Sequence, residues 1–175
     1  MPNKFFGRRT TILAAAVTLL AAPATTTSAA PAQVFRGDLV DLSAATPDPF
    51  GDATAHLVMT PTGRGTTFHL RIHGIDPAVL GESYGAHLHV GPCVEGNGAA
   101  AGPHYNVTAA NPPVVVSDQT EVWLDFTVVG DGTGAGDATV PFVPVPGERA
   151  VVVHAEGTAP NGTAGARLVC LPVVW

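Results

Sequence analysis

The chain has 175 residues and a formal charge of −6, and its one lysine, Lys4, lies with Arg8 and Arg9 at the N-terminus. From Pro31 onward five arginines (Arg36, Arg64, Arg71, Arg149, Arg167) face 14 acids, a formal charge of −9, which argues against nucleic acid or an anionic membrane surface as partner. The 20 glycines and 16 prolines are scattered as punctuation, and no long stretch has helical periodicity, which argues against a helical protein and against a low-complexity linker.

The first element is a secretory signal peptide over residues 1–30. Basic residues up to Arg9 precede an apolar run from Ile12 to Ala22, and a small-residue stretch, Thr25 to Ala32, follows. That run is too short to cross a bilayer, which takes about 20 residues, and its small-residue end suits signal peptidase near Ala30. Arg8-Arg9 leaves both the general and the twin-arginine export routes open, since Gly7-Arg8-Arg9-Thr10 lacks the rest of a twin-arginine consensus. The expected location is secreted or periplasmic, with no membrane attachment once the signal is removed. Residues 31–175 then form one domain of about 145 residues, enough to bury a real core.

In chain order the segments between the breakers read as eight short strands: Gln33–Leu42, Thr54–Thr60, Thr66–His73, Tyr84–Val90, Thr120–Val129, Asp137–Val143, Arg149–Ala155 and Ala166–Val173. Phe68, Leu70 and Ile72 alternate with His69, Arg71 and His73; Val122, Leu124 and Phe126 alternate with Glu121, Trp123 and Asp125. Eight strands at this spacing predict an all-β antiparallel sandwich or barrel. The stretch from Gly91 to Gln119 has little strand pattern, and a loop of that length inside a compact domain is usually functional or pinned; Cys93 and His104 are the residues to pin it.

Four histidines fall in two patches. Gly85-Ala86-His87-Leu88-His89 puts two imidazoles on one face of a strand while Leu88 points the other way, as strand geometry requires. His104 follows in Gly102-Pro103-His104-Tyr105-Asn106, and His154 ends the run Val151-Val152-Val153. Each patch brings one cysteine, and an exported chain meets an oxidising compartment, so a single disulfide can tie the loop after His89 to the strand after His154. Lone strand histidines are commonly surface or core residues, and His56, His69 and His73 are left unassigned. Two Asn-x-Thr triplets, at Asn106 and Asn161, are glycan acceptors only in a host that glycosylates.

These motifs resemble the copper/zinc superoxide dismutase family. There, Gly-x-His-x-His is followed by a loop cysteine, by Ala-Gly-x-His-Phe-Asn, by Val-Val-His and by Gly-x-Arg-Leu-x-Cys. This chain has Gly85 to His89, Cys93, Ala101-Gly102-Pro103-His104-Tyr105-Asn106, Val152-Val153-His154 and Gly165-Ala166-Arg167-Leu168-Val169-Cys170, in the same order. The resemblance implies an eight-stranded Greek-key β-barrel with copper on its outside. It implies His87, His89, His104 and His154 as copper ligands, Arg167 as the guide for a small anionic substrate, superoxide, and a Cys93–Cys170 disulfide. It also implies Cu(II)/Cu(I) cycling that converts superoxide to oxygen and hydrogen peroxide, with His104 passing a proton.

The departures matter as much. The family's zinc site adds two histidines and an aspartate after the bridging histidine, but between His104 and His154 this chain has no histidine, and the segment from His154 to Arg167 is short. Carboxylates alone would leave zinc short of nitrogen ligands, so the sequence resembles a copper-only member and zinc is not expected. Something other than zinc must then hold the ring of His104. A carboxylate is the ordinary solution, and Glu121 or Asp125 is the candidate, with Glu156 a weaker third. Two functions stay open, an exported copper-dependent dismutase and an exported copper-binding carrier or buffer with little dismutase activity; the missing zinc ligands and the short segment favour the carrier, and retention of Arg167 favours the enzyme.

Overall fold

The computed structural model describes Met1, residues 30–44 and residues 48–175. The expected signal peptide therefore lies almost wholly outside the described residues. Ten strands are present: β1 (Gln33–Asp38), β2 (Val40–Asp41), β3 (Thr54–Thr62), β4 (Gly65–His73), β5 (Ser83–Tyr84), β6 (Ala86–His89), β7 (Phe126–Thr127), β8 (Thr133–Val140), β9 (Glu148–His154) and β10 (Arg167–Val174). No α-helix occurs among the described residues; Pro77–Val79 and Gly98–Ala101 are short 3-10 turns.

The strands form two four-stranded antiparallel sheets, ordered β1-β3-β4-β8 and β2-β10-β9-β6, and a β5-β7 ribbon. The sheets pack as a sandwich and do not close into one hydrogen-bonded barrel. The core between them follows from alternation. In β4, Phe68, Leu70 and Ile72 are buried while His69 and His73 are exposed; in β3, Ala55, Leu57 and Met59 are buried against them. Val151, Val153 and Leu88 of the second sheet close the core, with Val122 and Leu124 from the segment that runs beside β6.

The expected strand boundaries shift at four places, each for a local reason. Gln33–Leu42 divides at Leu39: β1 pairs with β3, whereas Val40 and Asp41 pair with Cys170 and Val169 of β10, so the chain passes from one sheet to the other. Tyr84–Val90 is interrupted at Gly85, whose N–H donates to Glu156 O (2.7 Å) and whose carbonyl accepts from His154 N–H (2.7 Å). Thr120–Val129 keeps its alternation, but only Phe126–Thr127 is regular strand; Glu121 to Asp125 runs beside β6 through Leu88 N–H to Val122 O (3.3 Å) and Leu124 N–H to Ala86 O (2.7 Å). The strand expected from Asp137 begins at Thr133. Glycine reads as a breaker in sequence, yet a Cβ at Gly136 would overlap the backbone of Leu124 and Asp125, so the close approach of these segments requires it.

β9 is buried on both faces. Val151 and Val153 point into the sandwich, while Ala150 and Val152 point outward and are covered with Cys170, Leu42 and Ala101 in a second apolar cluster. The covering loop is pinned as its cysteine suggested: Cys93 is bonded to Cys170, 77 positions away.

Candidate metal centre

The register of β6 on β9 builds the site. His87 lies opposite Val152 and His89 opposite Ala150, so both imidazoles project from the outer face of the second sheet, and His154 at the end of β9 has the same parity. His104 comes from the long loop, where its backbone bridges that of His89. The structure thus brings His87, His89, His104 and His154 together, each offering a ligand atom within 4.8 Å of the others. His87 and His89 are fully buried, His154 nearly so, and the side chain of His104 retains 19% exposure.

Each ring has one nitrogen committed to an outer partner. His89 Nδ1 donates to Gly102 O (2.9 Å) and His154 Nδ1 to Gly165 O (3.3 Å). Both carbonyls belong to glycines with positive φ, +68° and +76°, a conformation that turns them toward the rings and that residues with a Cβ rarely adopt. His104 Nδ1 donates to Glu121 Oε2 (2.9 Å), and His87 Nε2 lies 2.6 Å from Thr158 Oγ1. The remaining ring nitrogens are Nδ1 of His87 and Nε2 of His89, His104 and His154.

Burial, reinforced by the neighbouring rings, lowers His87 to about 2; burial lowers His89 to about 3 and His154 to about 4, with the charge of Arg167 adding to the fall in these two. All three are neutral near pH 7. Because a carbonyl only accepts, Nδ1 of His89 and of His154 carries the hydrogen and Nε2 is a bare lone pair. Those two Nε2 atoms face each other at 3.2 Å, and the buried Nδ1 of His87 has no partner. Opposed, desolvated acceptors are unfavourable unless a cation lies between them, so the residues fit a nitrogen-loving metal ion.

Of the carboxylates weighed for His104, Glu121 is the one in contact. It is 4% exposed and accepts from His104 Nδ1 (2.9 Å), Trp123 Nε1 (2.9 Å) and Asn106 Nδ2 (3.0 Å). Burial alone would raise its carboxyl, but the hydrogen bonds from His104, Trp123 and Asn106 outweigh that and lower it, so it stays ionised. Asp125 sits elsewhere: its oxygens accept from Thr158 N–H and hydroxyl (both 2.7 Å) and from Ala86 N–H (3.3 Å). The two acids share a strand face, but the histidine nearest Asp125 is His87, with 3.8 Å from its Nε2 to Asp125 Oδ1. Glu156 is placed against Gly165 instead of His104.

Thr158, which holds a ring nitrogen, was not legible beforehand: a single threonine in a short loop carries no motif. Asn106 stands in the motif around His104 and in an Asn-x-Thr triplet, and neither announces its bond to Glu121. Its amide is committed to Val115 O and Glu121, which leaves the triplet no free acceptor nitrogen.

Arg167 begins β10 with its guanidinium tied to Gly98 O (2.5 Å) and Gly102 O (2.7 Å). Gly102 O is also the acceptor of His89 Nδ1–H, so one carbonyl fixes both the cation and a histidine. His104, His154 and Arg167 line the same cavity of about 520 Å3, walled otherwise by Pro103, Val116, Glu121 and the loop from Asn161 to Gly165.

No protein-family model matches the sequence, and no curated protein matches it. Among solved structures, the chain is similar to a double mutant of a SOD-like protein from Bacillus subtilis, with a TM-score of 0.56 and 21% identity over 80% of this chain and 97% of that one. At that identity the likeness establishes the fold, an antiparallel β-sandwich of the SOD-like kind.

Proposed function

We propose that this chain is an exported copper-dependent superoxide dismutase whose site uses copper without zinc. The observation that carries the reading is the set of inward-facing histidine nitrogens, bare in His89 and His154 and without a partner in His87, beside an anchored guanidinium that opens on the same cavity. His87 through Nδ1, and His89, His104 and His154 through Nε2, would hold the ion. Copper, when bound, supplies the one-electron couple by which one superoxide is oxidised to O2 and a second, with two protons, is reduced to H2O2.

The chain's own residues do the rest. Arg167 places a fixed positive charge at the cavity wall, where a small anion is drawn in despite the acidic molecule. His104 is the most exposed of the four rings, so its Nε2, when it does not hold the ion, is where a proton can be held and given to the reduced anion. Glu121 keeps that ring in place through Nδ1, the position that zinc holds in the two-metal enzymes this sequence resembles, which supports a copper-only site. The Cys93–Cys170 bond supports an oxidising compartment, and no helix among the described residues is long and apolar enough to cross a membrane.

The competing function is a copper carrier with the same site and little turnover. Metal analysis after incubation with both ions, followed by a dismutase assay on the product, tests both. The expected result is about one copper per chain, little zinc, and dismutation well above that of the metal-free protein. Stoichiometric zinc beside copper overturns the copper-only reading, and full copper loading without turnover overturns the enzyme in favour of the carrier.

A further inference from the structure

His87 is held unlike the other three rings. It is fully buried, and its outer nitrogen meets a side-chain hydroxyl, Thr158 Oγ1, at 2.6 Å. That hydroxyl lies 2.7 Å from Asp125 Oδ1, and the other carboxylate oxygen accepts Thr158 N–H, also at 2.7 Å. The direction of the chain is fixed by chemistry. Thr158 has a single hydroxyl hydrogen and donates it to Asp125 Oδ1, so Oγ1 must accept from His87. The hydrogen is then on Nε2 and the lone pair on Nδ1, the buried atom without a partner. Asp125 also accepts Ala86 N–H (3.3 Å), next to His87, so one carboxylate ties the loop that carries Thr158 to the strand that carries the ring.

We propose that Thr158 and Asp125 are a positioning pair that fixes His87 in its Nε2–H tautomer and so presents Nδ1 to the metal. The effect on copper rests on the copper-site reading above; the tautomer does not. Loss of the pair leaves a buried ring free to place its hydrogen on Nδ1, where it blocks ligation.

The test compares wild type, Thr158→Val and Thr158→Ser. Valine removes the hydroxyl but keeps the backbone N–H bond to Asp125, and serine keeps both. Long-range 15N–1H spectra of the metal-free proteins report the His87 tautomer, and chelator competition with the Cu(II) EPR spectrum reports the site. Expected are Nε2–H in wild type and Thr158→Ser, a mixture in Thr158→Val, and for Thr158→Val alone a loss of Cu(II) affinity of about ten-fold or more with altered hyperfine coupling. Two results overturn the proposal: a Thr158→Val ring and copper spectrum like wild type, or an equal loss in Thr158→Ser, which marks loop packing instead of the hydroxyl. Should wild type not bind copper, the dismutase reading fails, and the ring spectra still decide the tautomer.

Discussion

Replacing Glu121 by glutamine exchanges one carboxylate oxygen for an NH2 group and removes the negative charge, and the structure says what that does. Glu121 accepts three hydrogen bonds, two on Oε2 from His104 and Trp123 and one on Oε1 from Asn106. An amide offers one acceptor oxygen and one donor nitrogen. If the oxygen serves His104 and Trp123, its NH2 faces the Asn106 amide, which cannot rotate away: Asn106 Oδ1 is held by Thr108 N–H (2.8 Å) and hydroxyl (2.6 Å), and Nδ2 by Val115 O (2.7 Å). A buried donor left unpaired costs about 1–3 kcal/mol, and the other two bonds lose their charge assistance, roughly halving them. The metal-free protein should lose about 2–4 kcal/mol of stability, read from urea unfolding. Copper affinity should fall about 10- to 100-fold, or about 1.4–2.7 kcal/mol, because His104 is no longer held by a negative partner. Chelator competition measures this. A copper affinity within about two-fold of wild type, together with an unchanged urea midpoint, would refute the account of Glu121 as the support of His104.

Arg167→Ala should leave copper content intact while slowing dismutation and flattening its dependence on ionic strength, and Arg167→Glu should slow it further; equal rates in all three proteins at matched copper count against an anion guide. Paired Cys93→Ser and Cys170→Ser substitutions open a loop of 77 residues and should cost about 4–5 kcal/mol on the chain-entropy estimate, measured by urea unfolding. They should also weaken copper binding, since the same loop carries His104; unchanged copper affinity would show that the loop holds its place without the bond.

The sequence by itself determined the strand-rich class, the pairing partners among two cysteines and the grouping of four histidines. These are properties of short range or small number: period-two alternation fixes which side chains share a face, and two cysteines admit one bond. His87 and His89 share a face for that reason alone. Tertiary structure decided what depends on distant segments meeting. Alternation placed Glu121 and Asp125 on one face, but which histidine each serves followed from where the long loop and the short one cross that face, bringing His104 over Glu121 and Thr158 over Asp125. The glycines at 134 and 136 read as breakers until the approach of Leu124 to Phe126 showed why strand β8 needs them. Gly102 and Gly165 stand in the motifs, but that their carbonyls set the inward nitrogens of His89 and His154 depends on the φ and ψ the fold imposes, which the motifs do not state.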